Sequence, residues 1–222
     1  MDWQALALSV QLALATLLVL LPAGLMAARW LARSRSRAKP WLEALVMLPL
    51  VLPPTVLGYY LLVSLGAQSP LGRWAQDTLG LSLSFNFLGL LLASVVFNIP
   101  FMLQPMQRAF EAIPHKLIEA ATVNGLSAWA TFWRVELPLA WPGVMSAGVL
   151  TFVHTLGEFG VVLMVGGSIP GETRTIAIAI YDRVQAFDLQ GAHLMSLTLL
   201  AFSTLAIVAS LWAGRRAPGG TR

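Results

Sequence analysis

The chain has 222 residues, 57% of them hydrophobic and only 11% charged, with a formal net charge of +4 and no cysteine. Typical globular chains carry about 25% charged residues, so too few charges remain here to cover a water-facing surface. That excludes a soluble domain and makes the chain integral to a membrane, and the missing cysteines exclude disulfides, thiolate metal sites and thiol nucleophiles.

The basic residues do not form a nucleic-acid surface. Arg29, Arg33, Arg35, Arg37 and Lys39 form one cluster, and Arg215, Arg216 and Arg222 another, each abutting an apolar run as juxtamembrane anchors do. Met1-Asp2-Trp3 lacks the basic start of a signal peptide, so the first apolar stretch reads as a retained span.

A spanning helix needs about 20 mostly apolar residues. Charge-free runs between Asp2 and Arg29, Glu43 and Arg73, Asp77 and Arg108, Leu137 and Gly157, and Leu189 and Gly214 place five helices, near 4–29, 42–66, 85–107, 139–163 and 192–213. The expected fold is an all-α polytopic membrane protein forming a single domain over 1–222. The loops after spans one and three, with the C-terminal tail, hold Arg29, Arg33, Arg35, Arg37, Lys39, Arg108, Lys116, Arg134, Arg215, Arg216 and Arg222. The other face holds only Arg73, Arg174 and Arg183. This bias sets the N-terminus outside and the C-terminus in the cytoplasm.

Within span two, Pro53 and Pro54 lie roughly 16 Å deep, near the middle of an approximately 30 Å core. Proline there frees carbonyls that lipid does not satisfy. Asn98 and Pro100 interrupt span three at similar depth, and Thr151 lies near the middle of span four. Thr55, Asn98 and Thr151, beside Pro53 and Pro54, are therefore candidates to line a gated path. The plainer alternative is ordinary kinks and interhelical hydrogen bonds. Glu158, near the outer end of span four between Gly157 and Gly160, suits a structural or gate-hinge role. His154 and His193 lack partners at metal-ligand spacing beyond the His154/Glu158 pair, so no metal site is expected, and His115 reads as solvated.

Two connections are long. In the first, 108–138, Pro114 suits an early helical position, Gly125 a helix stop, and Ser127 the N-cap of a second short helix ending before Pro138. Trp129, Phe132 and Trp133 on that second helix require cover from the lipid interface or from a protein partner. The second, 164–191, opens on Gly166-Gly167-Ser168-Ile169-Pro170-Gly171, a turn signal. It continues through Ile176, Ile178, Ile180, Tyr181, Val184 and Phe187, as a short interfacial helix or a plain connector.

Glu119-Ala120-Ala121, three residues, Gly125, nine residues, then Val135-Glu136-Leu137-Pro138 resembles the EAA loop of ABC importer permeases, with Val135 in place of the usual isoleucine. The stretch Leu48-Pro49-Leu50-Val51-Leu52-Pro53-Pro54-Thr55-Val56-Leu57-Gly58-Tyr59 resembles the molybdate-type permeases in particular. So do Leu156-Gly157-Glu158-Phe159-Gly160, Ile169-Pro170-Gly171-Glu172-Thr173-Arg174-Thr175-Ile176 and Ala179-Ile180-Tyr181. The resemblance implies a type I ABC importer permease fold in a bacterial inner membrane, and molybdate, with tungstate second, as cargo. It also implies two cytoplasmic ATPase subunits, a second copy of the chain and an external oxyanion-binding protein. Glu119, Ala120, Ala121 and Gly125, followed by Leu137 and Pro138, would then be the ATPase-coupling positions.

No cofactor is expected on this chain. A phosphate loop is absent, and Lys39 and Lys116 lack the glycines that cradle phosphates, so ATP and magnesium would belong to the partner. An intramembrane serine protease is disfavoured because Gly166-Gly167-Ser168-Ile169 is not a Gly-x-Ser-Gly turn. A self-sufficient secondary transporter would have no use for the EAA loop. A related importer for sulfate, thiosulfate or another oxyanion is the remaining alternative.

Overall fold

A computed structural model describes residues 1–215, all helix and connecting loop among them. Arg216 and Arg222 of the second basic cluster lie outside the described residues. The first span, α1, is longer than its charge-free run and covers Trp3–Arg33. Asp2 caps its start by accepting from the Ala5 N–H at 3.0 Å, so the helix begins where the apolar run begins.

The second span is not one helix. It is α2 (Lys39–Val51) and α3 (Pro54–Leu65), bent by 106° at Leu52-Pro53. Proline disfavours a helical residue before it and supplies no N–H, and two in succession leave Leu52 and Pro53 extended at ψ 140° and 133°. A short amphipathic helix that the residue pattern had not marked follows, α4 (Pro70–Leu79), capped by the Ser69 hydroxyl. The third long helix, α5, covers Phe87–Glu111.

The first long connection is helical almost throughout. It holds α6 (His115–Val123) and α7 (Ala128–Thr131), then a single wide turn over Phe132–Glu136 that runs directly into α8 (Leu137–Gly157). The second short helix therefore does not end before Pro138. The Leu137 N–H reaches back five residues to the Phe132 carbonyl, and this widened turn relieves the clash that the Pro138 ring would impose on a regular helix.

The fourth span is likewise divided. It stops at Gly157, Glu158 is extended (φ −68°, ψ 127°), and a separate short helix, α9 (Gly160–Gly166), follows. The second long connection contains α10 (Ile176–Gln185), and α11 closes the fold over Leu189–Arg215. Ile176, Ile178 and Ala179 are fully buried, packed among residues of α1, α9 and α11 such as Ala5, Leu12, Val162 and Met195. The apolar face of α10 thus meets protein, in place of the interfacial site or plain connector expected. Among the described residues four helices are long and apolar enough to cross a membrane, and five when the bent α2–α3 pair counts as one.

Helices α1, α5 and α8 pack pairwise and enclose the main core, around Leu20, Met102, Met106, Phe110 and Val144. Close approach of α5 and α8 depends on Gly143, where a Cβ would stand 2.3 Å from that of Ala109. A second core holds α3 against α9 and α5 through Leu57, Val161, Val165 and Phe97.

Candidate functional site

The helical connection is built to present one face and to be held rigidly by another. Pro114 opens α6 from an extended conformation (φ −58°, ψ 131°), and α6 ends in a left-handed turn at Gly125, whose φ is +80°. There the Gly125 N–H donates to the Thr122 carbonyl and the Leu126 N–H to that of Ala121, closing the helix end. A Cβ on Gly125 would meet nothing within 4 Å, so backbone conformation, not space, requires glycine here. The Ser127 hydroxyl then accepts from the Ala130 N–H and starts α7.

The positions expected to couple to an ATPase divide by exposure. Glu119, Ala120, Gly125 and Pro138 are exposed, Leu137 is half-buried, and Ala121 is turned inward against the fold. Trp129 is 69% exposed and Trp133 49%, while Phe132 and Ile113 enter the α1–α5–α8 core. The motif is thus one outward surface on a segment pinned at both ends.

The strongest pin is one that the residue pattern did not reveal. Glu136 is 1% exposed, and Arg29 of α1 donates to it twice, Nε to Oε2 at 2.6 Å and Nη2 to Oε1 at 3.1 Å. The same guanidinium lies 5.3 Å from the centre of the Phe132 ring. Arg29 reads from sequence as a membrane anchor. The available signal was Glu136 itself, a lone carboxylate at the mouth of an apolar run, which needs a cation once buried. On the same side Gln107 bridges Glu43 (2.6 Å) and Glu111 (2.9 Å), and Lys39 donates to Glu111 at 3.0 Å, fixing the start of α2 against α5.

The candidate path residues fall into two groups. Pro53, Pro54 and Thr55 lie exposed at the α2–α3 bend, with Pro54 against Gly160, where a Cβ would be 2.8 Å from that of Pro54. Glu158 is buried next to this contact and accepts from the Val161 N–H at 2.9 Å, so it caps α9 where the fourth span breaks. Asn98 and Thr151 are 0% exposed inside the helix packing. Asn98 donates to the Ser94 carbonyl at 2.8 Å and its Oδ1 lies 3.1 Å from His154 Nδ1, while Thr16 donates to Ser94 Oγ at 2.9 Å. This chain of four polar side chains ties α1, α5 and α8 together. His154 is further held by the Phe101 ring at 3.7 Å. The Thr151 carbonyl accepts from the Thr155 hydroxyl, and its own hydroxyl has no partner among the described residues.

On the opposite end of the bundle, Arg174 joins Asp182 (3.3 Å) and Asp2 (3.7 Å), and the Ile176 N–H donates to Ser9 Oγ at 2.8 Å. The Gly191 N–H and the Arg183 guanidinium hold the Asp188 carboxyl below the usual carboxylate range, which fixes the turn from α10 into α11. Among the described residues no three His, Asp or Glu side chains converge as a metal site would require, and His115 and His193 are exposed.

Residues 20–218 match the family described as the binding-protein-dependent transport system inner membrane component. The chain is 48% identical over 220 residues to the molybdenum transport system permease protein ModB of Azotobacter vinelandii, covering 99% of this chain and 96% of that one. It is 36% identical over 215 residues to the protein of the same name from Escherichia coli (strain K12), covering 96% and 94%. Its fold superposes with a TM-score of 0.78 on a bacterial ABC transporter for the import of the acidic polysaccharide alginate, at 16% identity, over 96% of this chain and 78% of that one. With a family match over most of its length and near-complete coverage of relatives well above 30% identity, this multi-pass chain belongs to the inner membrane components of binding-protein-dependent transport systems.

Proposed function

We propose that the chain is the membrane-spanning permease subunit of an ATP-driven importer that carries molybdate, and second tungstate, into the bacterial cytoplasm. The observation that carries this reading is the near-full-length similarity to two molybdenum permeases, in a chain whose α6–α7 segment offers an exposed Glu119-Ala120 surface. The chain is a transport subunit and not an enzyme. ATP and magnesium are bound, and ATP hydrolysed, by separate cytoplasmic ATPase subunits, two per complex, each seated on one α6–α7 segment through Glu119, Ala120 and Gly125, with Ala121 buried beneath them and Leu137 and Pro138 behind.

Two copies of the chain form the pathway, with the N-terminus outside and the C-terminus in the cytoplasm. The exposed Pro53-Pro54-Thr55 bend and Glu158, which caps the adjacent α9, form the gate. Asn98 and Thr151 stand behind it as the joint on which α5 and α8 move. An external binding protein captures the oxyanion. The apolar windows of the spans offer no Lys or Arg that would hold a dianion tightly at mid-depth, so passage is weak and transient. Motion of the ATPase enters through α6 and α7 and reaches α8 through the wide turn at Phe132–Glu136 and α1 through Glu136 and Arg29.

The test is uptake of radiolabelled molybdate and sulfate by cells lacking the chain. Loss of molybdate uptake at trace concentration with sulfate uptake intact is the expected result. Loss of sulfate uptake alone would replace the cargo while keeping the importer class, and loss of neither would overturn the assignment of both oxyanions.

A further inference from the structure

Beside the Arg29–Glu136 pair, the end of α1 and the α7 segment enclose an open cleft of about 490 Å³ whose lining includes Met26, Arg29, Trp30, Arg33, Trp129 and Phe132. The spacing explains the α1 wall: residues 26, 29, 30 and 33 recur at three and four, so their side chains share one helix face. The chemistry is divided. Met26, Trp30 and Trp129 are 74%, 55% and 69% exposed, a large apolar surface at the end of a membrane-spanning helix. Tryptophan is favoured at that depth, where an apolar ring meets a polar boundary.

The polar floor is positively charged in excess. Two guanidiniums face the single Glu136 carboxylate, and Arg29 takes both of its oxygens. Arg33 is left incompletely partnered. Its Nη2 stands 3.9 Å from Glu136 Oε2, too far for a hydrogen bond, and its Nε and Nη2 have no hydrogen-bond partner among the described residues, while the side chain as a whole keeps 23% of its exposure and lines the cleft. Buried guanidinium N–H groups without acceptors are costly, and a phosphate oxygen is the acceptor that their planar fork fits.

We propose that this cleft binds the phosphate headgroup of an anionic diacyl phospholipid, with Arg33 on the phosphate and the chains lying along Met26, Trp30 and Trp129. A free tetrahedral oxyanion offers the same oxygens, but it would leave that apolar wall in water. Occupancy would brace the α7 segment against α1 beside the Arg29–Glu136 pair, so the assembled transporter would depend on anionic lipid. The site rests on the reading of this face as cytoplasmic and of the segment as the ATPase seat. Its test reads lipid binding on the purified complex and is therefore separable from the uptake result.

The complex of the chain with its ATPase, purified in detergent and delipidated, is titrated with phosphatidylglycerol, phosphatidylethanolamine or inorganic phosphate, and bound species are read by native mass spectrometry. Phosphatidylglycerol adducts should form in preference to phosphatidylethanolamine. They should weaken about fivefold to tenfold in Arg33→Gln, the effect of losing one basic contact to an anionic lipid. Trp30→Ala, at an exposed position that does not challenge folding, should weaken them as well. Equal binding of both lipids, adducts unchanged in both variants, or displacement of the lipid by millimolar inorganic phosphate would each overturn the proposal, the last by assigning the site to a free anion.

Discussion

Arg29 and Glu136, 107 positions apart in the chain, form a two-pronged ion pair that fastens the turn before α8 to the end of α1. Each partner answers a need of the other. Glu136 is almost wholly buried, and Arg29 is two-thirds withdrawn from water. Removing one partner of a fully buried pair costs roughly 3–5 kcal/mol, whereas exposed pairs contribute about 0–1. Since Arg29 retains a third of its exposure, Glu136→Ala should destabilise the purified protein by about 2 kcal/mol, read as a lowered thermal transition. A double-mutant cycle with Arg29→Met should show coupling of about 1 kcal/mol or more. Additive effects would mean that the two side chains act independently.

The Gly125 turn separates conformational from steric demands. Because a Cβ there meets open space, the cost of substitution in the permease alone is that of the left-handed backbone, about 1–2 kcal/mol for a residue that resists it. Asparagine tolerates this region and β-branched residues do not. Gly125→Asn should therefore retain most ATPase co-purification, while Gly125→Val should lose it, with both variants inserted in the membrane at wild-type levels. Equal loss in both would place the requirement in the space occupied by the ATPase instead of in the turn.

Gly143 and Gly148 lie on the same helix and should respond oppositely to alanine. At Gly143 the added methyl meets Ala109 Cβ at 2.3 Å and the Pro105 carbonyl oxygen at 3.1 Å, neither of which belongs to a flexible side chain. At Gly148 it meets only Leu17 Cδ1, at an ordinary 3.5 Å. Replacing a helical glycine by alanine gains about 1 kcal/mol of propensity, so Gly148→Ala should be neutral or stabilising. Gly143→Ala should destabilise by about 1–3 kcal/mol, the usual cost of overpacking. Thermal unfolding of the two variants side by side decides it, and equal values would contradict the close crossing of α5 and α8.

The elements legible in the sequence were those set by composition and by prolines and glycines. Five apolar runs, the Gly125 turn and the Ser127 cap follow from residues acting locally. What escaped was set by pairing across the chain. Nothing near Glu136 announces that its partner lies at the end of α1. The burial of Ile176 and Ile178 in α10 depends on α1, α9 and α11 being present to cover them. The Pro53-Pro54 pair marked a break, but not its 106° angle nor the close approach of α3 to α9 that Gly58 and Gly160 permit. Asn98 illustrates the same limit: depth alone suits a path-lining and a packing residue equally, and the difference lies in its partners.

Those partners make a final prediction. Asn98 bridges Ser94 on its own helix to His154 on α8, and Thr16 of α1 closes on the same Ser94. Interhelical hydrogen bonds inside membranes average about 0.6 kcal/mol and reach about 1.7. Asn98→Val, close in size, should therefore cost about 1–2 kcal/mol of thermal stability by releasing His154. The Thr16–Ser94 bond does not use the amide and should persist, so Thr16→Val in the Asn98→Val background should cost a further few tenths to one kcal/mol. If Asn98 acts as a joint, molybdate uptake per assembled transporter should fall less than twofold while the amount of assembled transporter declines with stability. A tenfold fall in uptake per transporter at unchanged thermal stability would instead put the Asn98 amide in contact with the passing oxyanion.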